Sequence, residues 1–197
     1  MLATAFAFFE DMLGSSEAQQ GEAAMIRAAT EADVDAIAHV HVAAWRETYP
    51  GIMPREVLDG LDESRRAAQW RRWFESGSSR GVLLVRETDG EIVGFASGVL
   101  PDGEDEGELE TLYLLRLAQG HGDGRRLMAE TARCLHDLGA RSLTLWVADG
   151  NPTAGFYRHL GGSQVETVAK PFGPYTIQES RYRWHDISEL MDVGPVI

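Results

Sequence analysis

Gln119-Gly120-His121-Gly122-Asp123-Gly124 is the stretch on which the reading of this chain turns. It follows a strand-like run over 109–115 and opens a helix-like run over 125–138. A strand that turns through alternate glycines onto a helix start clusters backbone N–H groups at the positive end of the helix dipole, an arrangement suited to a bound phosphate group. Downstream, Asn151-Pro152-Thr153-Ala154-Gly155-Phe156-Tyr157 follows a second strand-like run, over 142–147, so the two segments are placed to flank one ligand.

Working outward, 197 residues suit one globular domain with a full core. Hydrophobic residues make up 44% and charged residues 25%, and no run approaches the roughly 18 apolar residues of a membrane span. Eighteen basic against 31 acidic residues give a net charge of −13. That balance argues against nucleic acid or an anionic membrane as partner, favours a cationic one, and fits a cytoplasmic protein kept soluble by carboxylates. The single cysteine, Cys134, excludes an internal disulfide and falls on the apolar stripe of its helix, which marks it as a structural thiol. Residues 1–24 read as an appended apolar helix and linker: Phe6, Phe8 and Phe9 lack a basic region before them and are followed by Glu10 and Asp11, so no export signal is read. Those phenylalanines are expected to pack on the body of the protein or on a second subunit in a homodimer. The regular domain spans 25–187, with a tail over 188–197.

Within that domain, a strand over 26–29 leads through Thr30 and Asp33, a capping-box variant, into a helix that Pro50-Gly51 ends. His41 lies on the apolar stripe of this helix and reads as a core residue. Helices over 54–61 and 63–76 precede strands over 82–86 and 92–100, which Asp89-Gly90 joins as a two-residue hairpin turn. The strand over 108–115, the helix over 120–138 and the strand over 142–147 form a βαβ unit. Asn151 as N-cap and Pro152 at the first helical position start a short helix to about 159, and strands over 164–168 and 177–184 close the domain. The fold class is therefore α/β in composition (α+β in its layering), with a mixed, largely antiparallel central sheet flanked by helices.

The order of elements and both motifs resemble the GNAT superfamily of N-acetyltransferases, over 25 to about 187. That family's phosphate loop, Gln/Arg-x-x-Gly-x-Gly/Ala, is matched by Gln119, Gly122 and Gly124, after a Leu-Tyr-aliphatic strand matched by Leu112-Tyr113-Leu114. Its Asn-x-x-Ala-x-x-Phe-Tyr segment is similar to Asn151, Ala154 and Phe156-Tyr157, with one residue fewer before the aromatic pair. The segment Trp45-Arg46-Glu47-Thr48-Tyr49-Pro50-Gly51-Ile52 is similar to one in many bacterial members. Two departures stand out: Arg116 occupies a position where many members have proline, and Asp123 replaces an aliphatic residue between two loop glycines. A carboxylate there repels a pyrophosphate, so Asp123 is expected to turn away, capping the helix or pairing with Arg125 or Arg126.

The resemblance implies acetyl-CoA as co-substrate, a splayed central strand pair, and a primary amine of a small molecule or peptide as acceptor; no metal is called for. It implies that the pyrophosphate sits on the N–H groups of Gln119, Gly120, His121, Gly122, Asp123, Gly124 and Arg125. It likewise implies that pantetheine runs along Leu112, Tyr113 and Leu114, that Asn151 holds the pantetheine or its neighbours, and that Tyr157 faces the sulfur. The chemistry needs a base for the ammonium, an oxyanion donor and a proton for the leaving thiolate. Strict alternation puts Glu108 and Glu110 on one face with Leu112 and Leu114; Glu108 is the first choice of base and Glu110 the reserve. Trp45 and Tyr49 are the acceptor-side candidates. A Rossmann reading fails on glycine spacing, and a P-loop fails because Arg125-Arg126 stands where Lys-Ser/Thr is required. The remaining alternative is a non-catalytic module of the same fold that binds CoA or a partner protein.

Overall fold

The computed structural model describes residues 25–77 and 80–192. The expectations for 1–24 lie outside the described residues. Strands form where aliphatic and β-branched runs meet turn residues: β1 (Met25–Ala28), β2 (Gly81–Thr88), β3 (Glu91–Val99), β4 (Glu106–Leu114), β5 (Ser142–Ala148), β6 (Ser163–Phe172) and β7 (Tyr175–Trp184). They make one sheet in the order β1-β2-β3-β4-β5-β7-β6, antiparallel throughout except for the parallel pair β4–β5. Asp89 (φ 53°) and Gly90 (φ 77°) turn β2 into β3, the left-handed pair that a tight hairpin demands. The closing hairpin is longer than its apolar pattern suggests, because backbone pairing continues to Phe172↔Tyr175.

Helices cover the two faces. On one face lie α1 (Val34–Thr48), the short α2 (Arg55–Asp59) and α3 (Glu63–Glu75); on the other lies α4 (Asp123–Asp137), while α5 (Ala154–His159) follows β5. Two cores result. Leu127, Met128 and Leu135 of α4 are fully buried with Leu109, Leu143, Leu145 and Trp184, whereas Ile37 and Val40 of α1 pack with Trp70 and Phe95. Complete burial of each such side chain stabilises the fold by about 1.5–3 kcal/mol. Gly98 permits the close approach of α4, since a Cβ there would stand 3.0 Å from Leu135 Cδ1 and from the Glu108 carbonyl. Cys134 is half-buried against this core, and burial pushes its thiol up to about 11, which keeps it protonated.

At the start of α1 the chain makes a 3-10 turn, Glu31–Asp33, before the α-helix begins. Asp33 reaches back to accept the Thr30 backbone N–H (2.7 Å) and binds Arg27 (2.7 Å), which holds its carboxyl down at about 2. After β7, a 3-10 turn over Ile187–Leu190 buries Ile187 and Leu190 beside α4, so the packed body continues to Leu190. Among the described residues no helix is long and apolar enough to cross a membrane.

Candidate active site

The site begins with a break in the sheet. β4 and β5 pair only from Glu106↔Ser142 to Leu109↔Leu145, and beyond Leu109 they diverge. A bulge accompanies the break: Ser97 pairs with Thr111 while Gly98 pairs with Leu109, leaving Glu110 as the extra residue. Bulges bend a strand and increase its twist, and here the bend starts where β4 leaves β5. The expected alternation is thereby corrected. Leu109, Leu112 and Leu114 all face the α4 core, Tyr113 faces α1, and Glu108 and Glu110 do not share a face with Leu112 and Leu114.

A cavity of about 380 Å³ opens between the diverging strands. Tyr49, Glu110, Leu112, Tyr113, Leu114, Gln119, Gly120, Gly122, Gly124, Arg125, Asn151 and Tyr157 line it, whereas Trp45, Glu108, His121 and Asp123 do not. Thr48, Thr111, Trp146, Thr153 and Phe156 also line it and had no signal of their own, because contact with a cleft depends on which strands part.

The glycine turn forms the cleft's outer end. Gly120 (φ 84°) and Gly122 (φ 82°) adopt left-handed backbone, and Gly122 is the N-cap of α4, which starts at Asp123, later than the 120 expected from glycine content. The first N–H groups of α4 have no partner within the helix. Gln119 Nε2 donates to the Leu114 carbonyl at 3.0 Å, pinning the turn to the strand end, and Arg116 ties it to α1 by donating its backbone N–H to Glu47 (3.1 Å). Asp123 turns inward: it accepts from Arg126 at 2.9 Å and pairs with Arg86 of β2, also at 2.9 Å, with both the Asp123 and Arg86 side chains only 6% exposed. Pairing with Arg126 meets the expectation, and Arg86 is the partner that only the fold supplies.

At the inner end, Asn151 does not cap α5 directly. Its Oδ1 accepts from the backbone N–H (2.9 Å) and hydroxyl (2.8 Å) of Thr153, an Asx turn that delays the helix to Ala154, and its Nδ2 donates to the Tyr49 hydroxyl (3.4 Å). Tyr157 emerges from the core formed with Tyr182 and Trp184, and burial raises its phenol well above the ordinary value. Glu110 reaches solvent at the cleft wall; partial desolvation and then the Glu108 charge raise its carboxyl above the usual range, while a hydrogen bond from Ser97 opposes them. Glu108 sits in the still-paired part of β4, opposite Thr144. Glu106 is neutralised by Arg181 and Arg183.

This arrangement fits a CoA-like ligand. Backbone N–H groups at the Gly122 turn face the cleft end for phosphates, the edge of β4 beyond Leu109 carries unpaired amides for a pantetheine arm, and two phenols stand where such an arm would end.

The comparisons agree. The chain is 33% identical over 168 residues to the Bacillus subtilis (strain 168) protein described as the uncharacterized N-acetyltransferase YuaI, covering 84% of this chain and 95% of that one. Its fold resembles PaiA N-acetyltransferase from Thermoplasma acidophilum in complex with coenzyme A (TM-score 0.62, 17% identity, 82% of this chain and 99% of that chain). It also resembles YncA from Salmonella typhimurium with its cofactor acetyl-CoA (TM-score 0.61, 18% identity, 87% and 96%). A model of the acetyltransferase (GNAT) family matches residues 34–161, which include the bulged strand, the glycine turn and Tyr157, and the chain accordingly belongs to that family of acyltransferases, whose co-substrate is acetyl-CoA.

Proposed function

We propose that this protein transfers the acetyl group of acetyl-CoA to the primary amine of a small cationic molecule or of a peptide N-terminus. The observation that carries the acceptor class is Glu110, a carboxylate displaced into the cleft wall by a bulge, desolvated and pressed by Glu108. A carboxylate so placed attracts an ammonium and, with its raised proton affinity, is better suited than an ordinary one to accept the amine's proton. Glu110 is therefore the proposed base, with Glu108 setting the local field. The turn from Gln119 to Arg125 holds the pyrophosphate, Leu112 to Leu114 guide the pantetheine, Asn151 braces the inner end and Tyr157 faces the sulfur. Trp45 and Tyr49, in ring contact at 4.7 Å, bound the acceptor side.

The test is a panel of diamines, polyamines, short peptides and neutral amines offered with acetyl-CoA while free thiol is followed. Faster thiol release with the cationic amines and peptides is expected; a preference for neutral amines, or none at all, removes the acceptor assignment. Acetyl-CoA should also raise the melting temperature where NAD does not. Gly122→Glu should abolish that shift, because it strains a left-handed position and sets a negative charge against the phosphates.

A further inference from the structure

Tyr49 stands at the end of α1, 8% exposed, with its ring packed against Ala148 of β5 and Ile177 of β7, and it lines the cleft. It thus bridges the two strands that part. Its hydroxyl belongs to a chain whose polarity can be worked out. The Trp45 indole is a donor only, and its Nε1 lies 2.9 Å from the Tyr113 hydroxyl, so the Tyr113 oxygen accepts there. Asn151 spends its Oδ1 on Thr153, which orients its Nδ2 as a donor to Tyr49. The Tyr113 and Tyr49 hydroxyls are themselves hydrogen-bonded. Were Tyr49 the donor in that bond, the Tyr113 proton would be stranded beneath it without an acceptor, at a cost of about 1–3 kcal/mol if desolvated. With Tyr113 as donor, the one leftover proton is that of Tyr49, and it faces the cleft. The burial-driven rise in the Tyr113 phenol, deepened by its bond to Tyr49, agrees with this direction.

We infer that Tyr49 is a catalytic hydrogen-bond donor to the thioester carbonyl oxygen, and that Trp45, Tyr113 and Asn151 are positioning residues that aim its proton. The inference rests on the acetyl-transfer reading above. Tyr157 approaches the cleft from the α4 side and Tyr49 from the α1 side, and each phenol lies within the electrostatic reach of the other. A thioester between them meets Tyr157 at sulfur and Tyr49 at oxygen. The amine lone pair forms the new C–N bond and the carbonyl π pair moves to oxygen, where the Tyr49 O–H stabilises the charge. Collapse restores C=O and breaks C–S. The thiolate leaves with the bonding pair and takes a proton, and the proton lost from nitrogen passes to Glu110. A donor braced by two fixed hydrogen bonds needs no reorganisation as the charge develops.

The experiment uses acetyl-CoA labelled with carbon-13 at the thioester carbonyl, bound to the full-length wild type, Tyr49→Phe and Tyr113→Phe proteins. The carbonyl infrared stretch should lie higher in Tyr49→Phe than in wild type, and in between for Tyr113→Phe. In turnover, Tyr49→Phe should lose about 10²–10³-fold in kcat with the KM for acetyl-CoA unchanged, the size expected for one oxyanion donor. An unchanged stretch, or a loss confined to KM, overturns the role of Tyr49. If Tyr49→Phe does not fold, an unshifted stretch and full kcat in Tyr113→Phe overturn it instead. Wild type that binds acetyl-CoA with a lowered stretch but acetylates no amine would sink the transfer reading while leaving the hydrogen bond standing.

Discussion

Tyr157 is the residue whose proposed role is most exposed to a single substitution. Burial raises its phenol, so it holds its proton firmly and acts by donating a hydrogen bond to the departing thiolate, not by ionising in advance. Tyr157→Phe should lower kcat by about 10²-fold or more while leaving CoA affinity intact, as steady-state rates and a binding titration on the same two proteins would show. His41 has a different fate. It is 5% exposed among Trp45, Trp70, Phe95 and Tyr113, its Nδ1 has no hydrogen-bond partner, and burial, then the Arg66 charge, lowers its pKa to about 3. The unfolded chain binds this proton near 6.5 and the folded one only near 3. Between those values the unfolded state holds more protons, and stability falls by about 1.4 kcal/mol for each pH unit of acidification. Urea unfolding from pH 7 to 4 should therefore show a shallower acid loss in His41→Leu than in wild type. Asp33, held at about 2 by Arg27, loses its contribution in a separate window, as pH falls below about 4.

At the scale of elements, the glycine turn and the first turn of α4 are anchored from beneath by the Arg86–Asp123 pair, which joins the helix start to β2. Arg86 sits beside the bulge that shifts the β2–β3 register between Arg86 and Glu87. Removing one member of a buried pair leaves the other charge uncompensated, at a cost of about 3–5 kcal/mol. Arg126 still contacts Asp123 but is 43% exposed, so the loss in Arg86→Met should fall near the lower end. Combining it with Asp123→Asn should recover much of the stability. Unfolding midpoints for the two single variants and the double variant measure this directly. CoA affinity should fall in the single variants if the pair holds the turn in its binding shape.

For the whole molecule, the net charge of −13 sets opposite long-range fields for the two ligands of the proposed reaction. It attracts a polycationic acceptor and repels acetyl-CoA, whose phosphates must enter at the few N–H groups of one helix start. Raising ionic strength from about 0.01 M to 0.15 M, where the Debye length shrinks from about 30 Å to 8 Å, should raise the KM for a polyamine and lower the KM for acetyl-CoA. Equal drift of both constants in one direction would show that local contacts, not the overall field, govern encounter.

By itself the sequence determined what depends on near neighbours along the chain. The Asp89-Gly90 turn, the left-handed glycines before α4, the apolar stripes of α1 and α4 and the order of elements follow from residues a few positions apart, and so did the family. The tertiary structure decided what depends on pairing between distant strands. Period-two alternation carries no mark of an extra residue, so the bulge that moves Glu110 into the cleft and leaves Glu108 in the paired ladder appears only once β3 lies beside β4. In the same way, the inward turn of Asp123 needed Arg86 from β2, and the free proton of Tyr49 needed Trp45, Tyr113 and Asn151 brought together from α1, β4 and the loop after β5. A hydrogen-bond chain has a direction only when all its donors and acceptors are in place, and sequence spacing does not supply that.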